Sequence, residues 1–156
     1  MKLDPAYFSH IGMLVDIILK TKGDVLELGI GWGSTPVLHE LCRDRYLISL
    51  ENDYEVFKSF IKFDTYWHRV DYVKNWDNVT YDKPYSVAFI DNKPARRRRT
   101  DIKLLKPYAD FIVIHDTEPQ TDKYFRVESR IKTFKYIKKS GIIPETTIVS
   151  DKYPIP

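Results

Sequence analysis

Phe8, Ile11, Met13, Leu14, Ile17 and Ile18 recur with a helical period before Gly23, so the spacing predicts an opening helix of about four turns. Val25, Leu26 and Leu28 then form a short apolar run ending in a glycine cluster, and Thr35 to Cys42 returns to helical spacing. That order reads as strand, tight turn and helix. The same grammar continues with Tyr46 to Leu50 as strand, Tyr54 to Phe63 as helix and Val70 to Val73 as a weaker strand. Tyr85 to Ile90 and Phe111 to Ile114 are apolar on both faces, as strands of a helix-covered parallel sheet are, with Thr100 to Leu105 helical between them. Tyr124 to Lys139 reads as one long amphipathic helix stopped by Gly141, and Thr146 to Val149 as a last strand.

Strands alternating with helices predict an α/β fold: a doubly wound, mostly parallel sheet with helices on both faces. With a single strand after the long helix, the sheet is expected to be reduced at its C-terminal edge, which a homodimer could cover. Residues 1–156 fit one domain. No run approaches the 18 or so apolar residues of a membrane span, and Ile11 to Leu19 lacks the flanks of a signal peptide. The single cysteine, Cys42, excludes an internal disulfide and fits a reducing compartment. The expectation is a cytoplasmic monomer or homodimer with no membrane partner.

Charge adds a local feature. A net charge of +3 is too balanced to mark a nucleic-acid binder, but Arg96 to Arg99 is an unbroken basic run a few residues beyond the fourth strand. Arg96, Arg97 and Arg98, read as part of a loop beside the crevice, would suit an anionic acceptor through bidentate pairing. Lys132, Lys135, Lys138 and Lys139 fall at roughly helical spacing and read as a solvated face.

In an open α/β sheet the ligand lies beyond the carboxyl ends of the strands. The first strand ends Glu27-Leu28-Gly29-Ile30-Gly31-Trp32-Gly33-Ser34, with glycines at alternate positions that let backbone approach a ligand closely. A dinucleotide site would want its third glycine at Ser34, and no Gly-Lys-Ser/Thr closes a phosphate loop. The acid at Glu27 favours a cationic ligand instead. Glu51 and Asn52 follow the second strand, where a carboxylate can accept both hydroxyls of a ribose. Asp91 ends the fourth strand and His115-Asp116 the fifth, so a general base and two orienting acids are expected at one crevice.

Val25 to Ser34 resembles the first motif of class I S-adenosylmethionine-dependent methyltransferases, Glu/Asp-x-Gly-x-Gly-x-Gly, and Glu51 matches that family's ribose-binding acid. The resemblance runs from the first helix to about Asp116. It implies S-adenosylmethionine as cofactor, with Gly29, Gly31 and Gly33 along its methionine part, Glu27 near its amino group, and Asn75 and Trp76 flanking the adenine; Asp77 could serve there instead. Methyl transfer to an oxygen or nitrogen of a small-molecule acceptor is then the expected activity, with Asp91, His115 and Asp116 catalytic. A nucleic-acid acceptor, an aminopropyltransferase-like reaction and a non-catalytic adenosyl-binding module are the alternatives. Asp91 and Asp116 also resemble the carboxylate positions of the divalent-cation-dependent O-methyltransferases, where oxygen ligands would suit Mg; His115-Asp116 replaces that subgroup's Asp-Asn pair, so a metal is not favoured.

Overall fold

The computed structural model describes residues 8–156. Its core is a seven-stranded sheet in the order β3-β2-β1-β4-β5-β7-β6. Strands β1 (Val25–Leu28), β2 (Leu47–Glu51), β3 (His68–Tyr72), β4 (Tyr85–Ile90) and β5 (Ala109–His115) run parallel. β7 (Thr146–Ser150) and β6 (Tyr136–Lys139) close the far edge antiparallel.

Alternation across β1 sorts the core into two faces. Val25, with Leu47, Val87, Phe89 and Val113, packs against Leu14, Ile17 and Ile18 of α1 (Ile11–Leu19) and Leu38 of α2 (Thr35–Leu41). Leu26 and Leu28, with Ala88, Ile90 and Ile114, pack against Ile102 and Leu105 of α4 (Arg97–Leu105) and Ile131 of α6 (Glu128–Ile131). Period-2 alternation inside buried strands thus builds the three layers that the apolar runs predict. The short α3 (Tyr54–Phe60) is started by Asp53, whose carboxylate accepts from the Glu55 and Val56 amides, as an N-cap should. The β3–β4 crossover has only a 3-10 turn, Trp76–Asn78. It leaves a cavity of about 420 Å³ over Ile48, Val73 and Tyr81.

The C-terminal third departs from the sequence reading. The stretch expected as one helix over Tyr124 to Lys139 is α5 (Asp122–Phe125), α6 and strand β6, and Arg126, in the left-handed region at φ 54°, ends α5. The sheet edge is therefore not reduced: β6 and β7 form the closing hairpin, in register from Tyr136↔Ser150 to Lys139↔Thr147. Lys138 and Lys139 lie on this outer strand, where charged side chains discourage pairing with another chain. The four lysines share no helix face, and the argument for a dimer covering a missing edge falls away. Among the described residues no helix is long and apolar enough to cross a membrane.

Candidate active site

The turn after β1 carries two kinds of glycine. Gly29 sits at φ 91°, and a Cβ there would lie 2.7 Å from the backbone of Asn92, so only glycine lets the turn pass this close to the end of β4. A Cβ on Gly31 would meet nothing within 4 Å, because the residue faces open space. That space is a cavity of about 750 Å³ at the carboxyl ends of β1, β2, β4 and β5, walled by Gly31, Trp32, Glu51, Asp91, His115 and Asp116 among others. Gly29 and Gly33 also line it.

Glu27 does not. Its register partner on β2 is Ser49, so its side chain points into the sheet layer beneath the turn, fully buried. There its carboxylate accepts from Ser34 Oγ and Ser49 Oγ, both at 2.5 Å, and from Thr35 Oγ1 at 3.0 Å. Thr35 Oγ1 in turn accepts from the Gly31 amide, which ties the acid to the turn. Burial without a cation raises the Glu27 carboxyl to about 7, against the pull of its hydroxyl donors. The chain continues through Ser49 Oγ to His68 Nε2 at 2.8 Å, and from His68 Nδ1 to His39 Nδ1 at 3.0 Å.

Glu51 reaches the cavity wall. Its carboxylate accepts from the amides of Ile30, Asn52 and Asp53, each at 2.8 Å, joining the glycine turn to the end of β2. Asn52, Asn75 and Trp76 lie outside the cavity lining. Asn75 caps its 3-10 turn by accepting from the Asp77 amide, and the buried Trp76 donates its indole N–H to the Lys93 carbonyl at 2.7 Å.

Asp91, His115 and Asp116 converge. Each offers a ligand atom within 4.8 Å of the others'. His115 Nδ1 faces Asp91 Oδ1 at 3.4 Å and Asp116 Oδ1 at 3.6 Å, while Nε2 pairs with Ser9 Oγ at 3.1 Å. Burial disfavours the imidazolium, but the Asp91 hydrogen bond and both carboxylates outweigh it and hold the His115 pKa above its ordinary value. Burial likewise works against the Asp91 carboxylate, yet His115 and Arg98 keep its pKa below the usual range.

The arginine run is not a loop. Arg96 precedes α4 and Arg97 to Arg99 form its first turn, so the four side chains point different ways. Arg96 and Arg99 are exposed. Arg97 pairs with Asp77 and Asp101 and donates to the Trp76 carbonyl. Arg98 is buried, and its guanidinium contacts Asp91 at 2.7 Å and Asp116 at 3.0 Å. A divalent ion on Asp91 and Asp116 would have to share these oxygens with a fixed positive charge, so the residues present do not fit a metal.

His10 and Trp32 carry no feature in the sequence beyond ordinary helix and turn positions. His10, buried and lining the cavity, stacks on Phe89 and meets the His115 ring edge-on at 4.7 Å. Both of its ring nitrogens are without a partner among the described residues, and burial beside His115 lowers its pKa to about 4. Trp32 is half exposed at the cavity mouth, against Phe60.

The sequence matches no protein-family model and no curated protein. Solved structures do match. NodS, an N-methyltransferase from Bradyrhizobium japonicum WM9, superposes with a TM-score of 0.68 at 11% identity, covering 99% of each chain. The N-terminal domain of human METTL16, in complex with SAH, gives 0.66 at 15% identity over 98% of this chain and 73% of that one. Human methyltransferase 10 domain containing protein gives 0.66 at 15% identity over 97% and 85%. The strand order, the glycine turn and these superpositions agree: the chain has the class I methyltransferase fold.

Proposed function

We propose that the protein transfers the methyl group of S-adenosylmethionine to an oxygen or nitrogen of a small-molecule acceptor. The observation that carries this reading is the meeting, in one cavity, of the Gly29–Gly33 turn and Glu51 with the Asp91–His115–Asp116 group. The METTL16 neighbour was solved with SAH, which supports the same cofactor here. S-adenosylmethionine supplies a methyl on a sulfonium, so the protein's task is alignment, with a base only where the acceptor must lose a proton.

Gly31, with open space around it, leaves room for the methionine part beside Gly33 on the same wall, and Glu51, held by three amides, presents its remaining acceptor capacity to the ribose. Glu27 acts from below by locking the turn rather than by touching the cofactor. His115 takes the acceptor proton, its basicity raised by Asp91 and Asp116. The arginine run gives little support to an anionic acceptor, because Arg97 and Arg98 are paired with internal carboxylates, and on the cavity wall Glu51, Asp53, Asp91 and Asp116 outnumber Lys93 and Arg98. A neutral hydroxyl or an amine suits that wall better.

Calorimetric titration with S-adenosylmethionine and S-adenosylhomocysteine tests the cofactor, and a screen of hydroxylated and amine acceptors, read as S-adenosylhomocysteine release, tests the reaction. His115→Gln should bind the cofactor as wild type does and lose about 10²-fold or more in turnover, the usual worth of a positioned base. Wild-type rate should climb with pH through a midpoint above the ordinary histidine value, and that limb should vanish in His115→Gln. No heat with either adenosyl ligand would sink the proposal.

A further inference from the structure

We infer that the Arg98 guanidinium is the built-in counter-cation of the Asp91–Asp116 pair, holding the place a divalent ion would take, so that the Asp91–His115–Asp116 cluster binds no metal and becomes a metal site only when Arg98 is removed. An arginine has five N–H donors. Here four hydrogen bonds and an ion pair hold it: Nε donates to the Asn92 carbonyl at 3.0 Å, Nη1 to the His115 carbonyl at 2.9 Å and Asp116 Oδ2 at 3.0 Å, and Nη2 to the Asp91 carbonyl at 3.2 Å, while Nη2 also lies 2.7 Å from Asp91 Oδ1. The side chain is 4% exposed and the Phe125 ring lies 4.6 Å from the guanidinium carbon. Nothing about it is free to swing aside for an ion.

The same group also sets the geometry of the crevice. It ties together the ends of β4 and β5 by their carbonyls as well as their carboxylates, and Asp116 sits at φ 56°, a left-handed conformation that turns the chain at this point. With Arg98 in place, the pair and its cation leave one net negative charge beside His115. Without it, two carboxylates and an imidazole within 4.8 Å would remain, a donor set that suits Mn²⁺. Arg98 is thus a positioning residue: it acts on the crevice through Asp91 and Asp116.

The inference concerns the chain's own charges and is independent of whether methyl transfer is the activity. Its test uses Mn²⁺ alone as probe, with electron paramagnetic resonance for bound ion and histidine proton line widths for its location. In the wild type, millimolar Mn²⁺ should leave the His115 ring resonances sharp. Arg98→Met, which keeps the side chain's bulk and removes its charge, should tighten Mn²⁺ binding by about tenfold or more and broaden those resonances. Adding Asp91→Asn should abolish the gain, and Arg98→Lys should bind no better than wild type. Selective broadening of His115 in the wild type overturns the inference, as does equal binding by Arg98→Lys and Arg98→Met or a gain that survives Asp91→Asn. If Arg98→Met does not fold, the wild type and Arg98→Lys still decide: Mn²⁺ at His115 in either one refutes it.

Discussion

The glycine-turn half and the β4–β5 half of the crevice bury acids by opposite means. Under the glycine turn, Glu27 is surrounded by three hydroxyl donors and no cation, and its carboxyl rises to about 7. At the ends of β4 and β5, Asp91 has Arg98 and His115 within reach and is held below the ordinary carboxylate range. The difference teaches that burial alone does not decide ionisation: the nearest formal charge does. One half is built on backbone geometry and neutral donors, the other on fixed charges.

The largest effect should come from breaking the backbone half at Gly29. Alanine there combines a positive φ with a Cβ 2.7 Å from Asn92, so Gly29→Ala should cost about 2 to 5 kcal/mol in urea unfolding, from left-handed strain plus overpacking. Gly31→Ala, with open space around its Cβ, should stay within about 0.5 kcal/mol of wild type while losing cofactor affinity. Equal destabilisation by both would erase the distinction between a turn that needs glycine and a cavity that does. In the charged half, Asp91→Asn weakens one side of the Arg98 bridge and should cost about 1 to 3 kcal/mol, the worth of a charge-assisted contact left short of a partner.

The most specific effect is a dependence on pH. Because the Glu27 pKa is raised from 4.5 to about 7, the folded chain binds more protons than the unfolded one between those values. The contribution is therefore full below pH 4.5 and fades as pH rises to 7. Glu27→Gln removes that slope. Its stability relative to wild type should improve from pH 5 to pH 8, and a constant difference between the two proteins across that range would show that Glu27 does not titrate.

The sequence was most readable where one residue type has one use. Continuous apolar runs located β1, β4 and β5, and acids at the ends of β2, β4 and β5 located Glu51, Asp91 and Asp116 at the crevice. Reading failed where one pattern serves two structures. Tyr136 to Lys139 has the polar and apolar mix of a helix face, yet it is an edge strand paired to β7, and Arg126 adopts a conformation its side chain does not announce. The direction of Glu27 was hidden for a related reason. Its partners Ser49 and Thr35 lie on other elements, and only the β1–β2 register puts Ser49 beside it. The arginines failed through local context: a basic run looks free until the fold supplies Asp77, Asp101, Asp91 and Asp116 as its counter-ions.

The line of groups behind Glu27 has a sense of direction. With the carboxylate ionised, Ser49 donates to it, His68 donates Nε2–H to Ser49, and His39 donates Nδ1–H to His68 Nδ1, which selects one tautomer for each ring. Every member points the same way, like dominoes leaning toward the turn. The row therefore links the buried acid, through two side chains with no exposure, to His39, the member nearest the surface. The acid under the glycine turn is buried from water, and its hydrogen bonds still lead to the one member of the row that lies nearest to it.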